Sequence, residues 1–402
     1  MRFLRRSVPP AAHGGPVSLR AALLSAPLFD ELTIGILSIG LPLARDRLHL
    51  SYAQAGMLFT AGGLAALLID PLVNLLSDRS SKRVLMIGGI LGLVLGFSLA
   101  GAAPGYVWLL AAFALIWPAI TAAMDLAQAG LIDMDPAGSL RTMVRWTLLG
   151  GAGDLLAPAA VGLLAGAGFG WPVLCAVAAS CWLVLLAVVA PQRFATAEEA
   201  QPQAAVAQDT VPAGLRMAVR DRVLLRWMGV ELAAAMLDEV FISFAALYLH
   251  DHLGATPAQV GFALLPGAIA ALLSLAVLER VLPTVERRYL LPITALVALC
   301  GMVVLLTAGS LPVAVTGLVV VHAGAAVWYP VARAAAYDRY PGRSGLVRAI
   351  LSITDLVELV LPVGVGLVAA RSGILMGLAL LGVAPILVLL LAPRRATGLE
   401  GP

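Results

Sequence analysis

Ten carboxylates stand inside stretches that are otherwise almost wholly apolar: Asp30, Glu31, Asp70, Asp125, Asp154, Glu231, Asp238, Glu239, Asp355 and Glu358. A charge at the centre of a bilayer costs about 2.5 to 3.5 kcal/mol on insertion scales, so ten facing lipid would cost on the order of 30 kcal/mol. They must face one another, a cation or a cavity. Cations in the same stretches are few: Arg145, Arg333 and Arg348 towards the ends, and His322 deeper. A carboxyl that lacks a cationic partner in a medium of low dielectric holds its proton closer to neutrality. Proton exchange, or replacement of a proton by a cationic solute, is the chemistry such a set can do. The candidate solute- and proton-binding residues are therefore Asp30, Glu31, Asp125, Asp154, Asp238, Glu239, His322, Asp355 and Glu358. Each acid also has a plainer reading, an interhelical hydrogen bond or a pair with arginine, which bears most on Asp70, Asp125 and Glu231 near segment ends. His322, a lone histidine, reads equally as a packed polar residue.

The elements that must position these groups follow from composition. With 402 residues, 61% hydrophobic and 12% charged, the chain is excluded from ordinary soluble proteins. Crossing a bilayer core takes about 20 mostly apolar residues, and twelve such runs are present: 21–44, 52–76, 84–103, 106–132, 142–166, 171–190, 223–249, 257–281, 289–309, 311–337, 345–370 and 373–392. Connections as short as AGAAPG, AGAGFG and AGSLP force neighbouring runs to pack antiparallel. The acids fall in runs 1, 2, 4, 5, 7 and 11, whereas runs 3, 6, 9 and 12 carry no charge and are expected on the lipid-facing outside.

The stretch Asp30–Gly56 returns as Asp238–Gly261. Each copy has an Asp-Glu pair in an apolar run, then a charged exit (Arg45-Asp46-Arg47, His250-Asp251-His252), then Ala-Gln-x-Gly opening the next run. A second echo is Asp154-x-x-x-Pro158-x-x-x-Gly162, repeated as Glu358-x-x-x-Pro362-x-x-x-Gly366 at an offset of about two hundred residues. Two homologous halves follow, the plan of a transporter built from parallel repeats around a midplane site. The expected organisation is a tail at 1–20, a six-helix bundle at 21–190, a linker at 191–222, a second bundle at 223–392 and a tail at 393–402. The linker is rich in Ala, Gln and Pro and has no apolar period, as a flexible connection requires.

With the amino terminus placed inside, every Lys and Arg among the 26 except Arg45, Arg47 and Arg371 falls in or beside an inward loop. By the positive-inside rule both termini are then cytoplasmic, in a multi-pass plasma membrane protein of the bacterial inner-membrane kind. Because the basic residues are spread over every inner loop, they do not form a nucleic-acid patch. Cys175, Cys181 and Cys300 lie in apolar runs without a C-x-x-C pair and read as buried thiols. The first 20 residues lack the apolar core of a signal peptide and read as a retained tail. No metal-ligand cluster, nucleophile elbow or phosphate loop is read here, so neither enzyme activity nor a cofactor or bound metal is expected.

The loop NLLSDRSSKRVL after run 2 resembles the signature loop of the major facilitator superfamily, G-x-L-A-D-R-x-G-R-K-x-x-L. Asp78, Arg79, Lys82, Arg83 and Leu85 match, while Asn74 and Ser81 replace its glycines. Run 5, GGAGDLLAPAAVG, is partly similar to that family's antiporter motif G-x-x-x-G-P-x-x-G-G through Gly153, Pro158 and Gly162, with Asp154 as an added acid. The arginine that many of its proton-coupled exporters carry early in run 4 has no counterpart between 106 and 132, and PTVERRYL in the second half keeps only Arg287 and Arg288 of the signature. The resemblance implies an all-α membrane protein of 12 transmembrane helices in two pseudo-symmetric six-helix bundles, a cavity between them, and alternating access in a monomer. It implies gating roles for Asp78, Arg79, Lys82, Arg83, Arg145 and Arg348, with Asp78 accepting from a neighbouring helix N-terminus and the cations meeting acids or lipid phosphate. The expected function is secondary active, proton-coupled export of a small amphipathic or cationic solute. Sodium- or metal-cation coupling is the alternative, carboxylates being hard oxygen ligands. A non-transporting receptor or scaffold is a different class and would need an output domain or long structured loop, which is not read here.

Overall fold

A computed structural model describes residues 19–77, 82–134, 139–192, 221–281, 287–339 and 344–392, and among these every regular element is a helix. The first half contains α1 (Leu19–Ile39), α2 (Leu41–Leu48), α3 (Tyr52–Ser77), α4 (Lys82–Ala102), α5 (Tyr106–Met134), α6 (Ser139–Gly166) and α7 (Trp171–Val189). The second contains α8 (Arg222–Met236), α9 (Glu239–Asp251), α10 (Pro257–Val281), α11 (Arg287–Leu306), α12 (Leu311–Ala325), α13 (Trp328–Arg339), α14 (Ser344–Ser372), α15 (Ile374–Leu381) and α16 (Val383–Leu391). Among the described residues eleven stretches are long and apolar enough to cross a membrane, and the 29-residue α14 supplies the twelfth span. Most of the expected linker, 193–220, lies outside the described residues; its last residue but one, Asp221, caps α8 by accepting from the Val223 and Leu224 amides.

Four spans are not the single helices that the apolar runs suggest. Span 1 turns at Gly40 into α2, span 7 breaks at Leu237–Asp238, span 10 at Ala326–Val327 and span 12 at Gly382. Three of these breaks sit just before a proline, Pro42, Pro330 or Pro385, whose missing N–H and ring interrupt the helical ladder. Span 7 has no proline. There Asp238 itself leaves helical geometry (φ −103°, ψ −125°) and its side chain makes no capping bond to α9.

Within the halves α4 packs on α5 and α7, α1 on α6, α3 on α5, α11 on α12, and α8 on α13 and α16. Across the halves the main seams are α3 against α14, α6 against α10, and α1 against α9. The uncharged spans α4, α7, α11 and α15–α16 take no part in those seams, as expected of outer helices. Buried rings fix the packing with satisfied polar edges: Trp171 Nε1 donates to the Ala100 carbonyl at 2.8 Å, Trp182 Nε1 to Thr33 Oγ1 at 3.1 Å, and Tyr248 Oη to the Leu305 carbonyl at 2.9 Å.

The duplicated Ala-Gln-x-Gly has a physical meaning. Gln54 Oε1 accepts from Ser51 N (2.9 Å) while Gln54 N donates to Ser51 Oγ (3.2 Å), and Thr256 with Gln259 repeats the pair at 2.8 and 3.3 Å. These are reciprocal capping boxes starting α3 and α10. One turn on, a methyl group at Gly56 would overlap the Pro362 carbonyl, and one at Gly261 would come within 2.7 Å of the Pro158 carbonyl and clash with Gly162. Each half's Ala-Gln-x-Gly therefore packs on the other half's Pro-x-x-x-Gly. The turn before each capping box uses a left-handed residue, His49 (φ 51°) in one copy and Gly254 (φ 68°) in the other.

Candidate functional site

A cavity of about 240 Å³ lies between the halves, lined by α1, α6, the α8–α9 break, α10 and α12. Glu31, Gly35 and Ser38 reach it from α1 because spacings of four and three place them on one helix face. Asp154, Ala157 and Pro158 do the same from α6. The two helices meet closely at Gly153, where a methyl group would lie 2.8 Å from Glu31 Cβ. That approach sets the Glu31 and Asp154 side chains on the same wall of the cavity.

From the second half, the break in span 7 delivers Asp238 and Glu239 to the same cavity. They stand at the N-terminus of α9, whose dipole favours negative charge. Ser38 Oγ donates to Glu239 Oε1 across the seam at 3.3 Å. His322 completes the wall. Its Nδ1 lies 2.8 Å from the Leu318 carbonyl, and since a carbonyl only accepts, Nδ1 donates and Nε2 is left as the acceptor.

A second cavity of about 340 Å³ shares Asp238 and Glu239 with the first and adds Asp70 and Glu358. Phe59 and Trp117 form its aromatic side, edge to face with centroids 5.7 Å apart, and Phe113 stacks on Trp117 at 5.4 Å. Carboxyls from both halves, apolar walls and one aromatic corner thus enclose a site suited to a small solute with a cationic group.

The sequence profile of the Major Facilitator Superfamily matches residues 23–357. The chain belongs to this superfamily. No curated protein sequence matches it. Among solved structures, a bacterial homologue of the human lysosomal transporter Spinster, inward-facing and unoccupied, is 14% identical, with a TM-score of 0.74 over 93% of this chain and 95% of that one. The nucleoside transporter NupG is 12% identical with a TM-score of 0.75 over 94% and 98%. A D-xylose-proton symporter is 16% identical with a TM-score of 0.71 over 94% and 98%. As a major facilitator the chain is a multi-pass membrane protein, and its fold is that of secondary transporters of small molecules.

This major facilitator closes one end of its central cavity with a cluster of charges. Spans alternate in direction, so the connections around 40–51 and 252–256 lie at one end, here the distal end. There Arg45 bonds Asp251 Oδ2 at 2.9 Å, and His250 Nε2 bonds Asp46 Oδ2 at 2.8 Å. Arg45 corresponds to His250 and Asp46 to Asp251 at one offset of 205 residues, so each half's cation takes the other half's aspartate, as in an isologous interface. Tyr52 Oη adds a bond to Asp251 at 2.7 Å and lies under the Arg45 guanidinium, 4.4 Å from the ring centre. His250 Nδ1 faces the Ala255 carbonyl at 2.8 Å. With acceptors at both ring nitrogens, this arrangement uses both ring protons.

The structure sorts the candidate residues. Glu31, Asp154, Asp238, Glu239, His322 and Glu358 line the two cavities. Asp30 is the other member of its pair: its Oδ1 is buried without a hydrogen-bond partner, and it lines neither cavity. Asp125 also lies off the cavity walls, within electrostatic range of Asp70. Glu231 is buried and bonds Arg333 at 2.8 Å, and the Arg333 guanidinium lies 4.7 Å from the Tyr329 ring centre. Trp328 packs inside with Nε1 donating to Thr294. Of the gating residues, Arg83 donates to the Ala190 carbonyl and Arg145 is exposed. Asp78 and Arg79, together with the side chains of Lys82, Arg348 and Asp355, lie outside the described residues. Sequence reasoning passed over Ser38, Phe59, Asp70 and Trp117 as site residues. Ser38 carried a usable signal, since it falls seven residues after Glu31 on the same helical face.

Proposed function

We propose that this protein is a proton-coupled exporter of small amphipathic or cationic solutes that works by alternating access between its two halves. The observation that carries the proposal is the convergence of Glu31 and Asp154 from one half with Asp238 and Glu239 from the other on a single cavity, where crowded carboxyls need a proton or a cation between them. A cation entering that cavity competes with the proton, which is the exchange that an antiporter needs. Rocking about the seams α3–α14 and α6–α10 exposes the cavity to one side or the other. The bias of basic residues supports cytoplasmic termini, and the bonded distal cluster then makes this conformer the inward-facing one. Asp78, Arg79, Lys82, Arg83, Arg145 and Arg348 are the candidate latch of the opposite, cytoplasmic face.

The test is solute flux in proteoliposomes under an imposed pH gradient. Export should follow the gradient, and E31Q or D154N should uncouple flux from it. Flux indifferent to the pH gradient but driven by sodium would replace the proton by sodium as the coupling ion. Flux indifferent to both overturns the proposal.

A further inference from the structure

The wall of the smaller cavity is one-sided in its hydrogen bonding. Its polar atoms are the carboxyl oxygens of Glu31, Asp154, Asp238 and Glu239, Ser38 Oγ and the His322 ring. The Ser38 proton is already given to Glu239, and the His322 Nδ1 proton to the Leu318 carbonyl. Among the described residues this leaves acceptors only, apart from the protons that the carboxyls exchange. The rest of the wall is aliphatic, including Ile34, Ile242, Leu264 and Leu272. Apart from the imidazole it offers no aromatic ring, and aromatic faces are how quaternary ammonium groups are recognised. The aromatic corner, Phe59 and Trp117, belongs to the adjoining cavity across Asp238 and Glu239.

We infer that the solute's cationic head is an N–H donor, a primary, secondary or tertiary ammonium, seated among the four carboxyls with His322 Nε2 accepting one of its hydrogens. An apolar or aromatic body then extends past Asp238 and Glu239 towards Phe59 and Trp117. This rests on the reading of the cavity as the solute site and narrows its chemistry. Each N-methylation removes one donor from a head surrounded by acceptors. Hydrogen bonds to charged groups are strong enough that losing one weakens binding about tenfold or more.

Phenethylamine, its N,N-dimethyl derivative and its N,N,N-trimethyl salt share one body and differ only in the head, so they form the probe series. Binding to the purified full chain is measured by titration calorimetry, and flux of the same three by proteoliposome assay. Affinity should fall in that order, by tenfold or more from the first to the last. H322A should weaken the primary amine about tenfold and leave the quaternary salt unchanged, and H322Q, which keeps an acceptor, should restore most of the difference. A quaternary salt that binds as well as the primary amine, or failure of all three to bind, overturns the inference. Amine-selective binding with flux indifferent to the pH gradient leaves it standing and overturns the coupling instead. Gradient-driven flux of another solute without amine binding does the reverse.

Discussion

Replacing Asp251 by Asn removes the carboxylate that Arg45 and Tyr52 share across the distal seam. Arg45 is 2.9 Å and Tyr52 Oη 2.7 Å from the same oxygen, and the two charged side chains are 22% and 15% exposed. Hydrogen bonds to a charged group contribute about 1.5 to 3 kcal/mol each when dry, but partly exposed ion pairs fall towards about 1 kcal/mol. Together the two contacts favour distal closure by about 2 kcal/mol. With 1.4 kcal/mol per tenfold, D251N should shift the closed-to-open ratio by about 25-fold. Spin labels at Ala102 and Thr307, exposed residues near the distal ends of opposite halves, read that ratio by pulsed electron resonance once Cys175, Cys181 and Cys300 are replaced. A longer inter-label distance should grow at the expense of the shorter one, and R45A should reproduce most of the change. If both variants keep the native distance distribution to within twofold, the cluster is not a latch.

The same labels test two further points, and thermal melts test two more. His250 needs both ring protons to satisfy Asp46 and Ala255, while Arg45, Asp251, Tyr52 and His252 also surround the cluster, so distal closure should be favoured at low pH and weaken as pH rises on that side. H250A should abolish that dependence. G56A and G261A put a methyl group into the seam between halves and should hold the distal end open at little cost in thermal stability. G35A meets Ala157 within one half and should instead lower stability by about 1 to 3 kcal/mol, seen as a drop in Tm. R333A removes the bond from Arg333 to the buried Glu231 and should destabilise by about 1 to 3 kcal/mol, and E231Q/R333Q should recover much of the loss in a thermal melt.

The span count, the pairing of halves and the division into charged inner and uncharged outer helices were all legible, because burial from lipid and helix length leave a direct trace in hydropathy. The repeat was legible as text but not as contact. Nothing in the sequence says that Ala-Gln-x-Gly of one half lies on Pro-x-x-x-Gly of the other, since that is a property of the docked pair. Span 7 reads in the sequence as one unbroken run, 223–249, because a break without proline leaves no mark in composition. In the structure Glu231 turns to Arg333 while Asp238 opens to the cavity. Similarly, adjacency alone could not decide which of Asp30 and Glu31 faces the cavity; the close approach at Gly153 does.

The exchange of partners at the distal cluster has a consequence for assembly. Its two ion pairs are reciprocal, Arg45 with Asp251 and His250 with Asp46, so in these groups the surface that each half offers is complementary to itself. Separated at the middle of the chain, residues 1–206 and 207–402 would each hold one cation and one aspartate of the exchange, so each needs a second half to complete it.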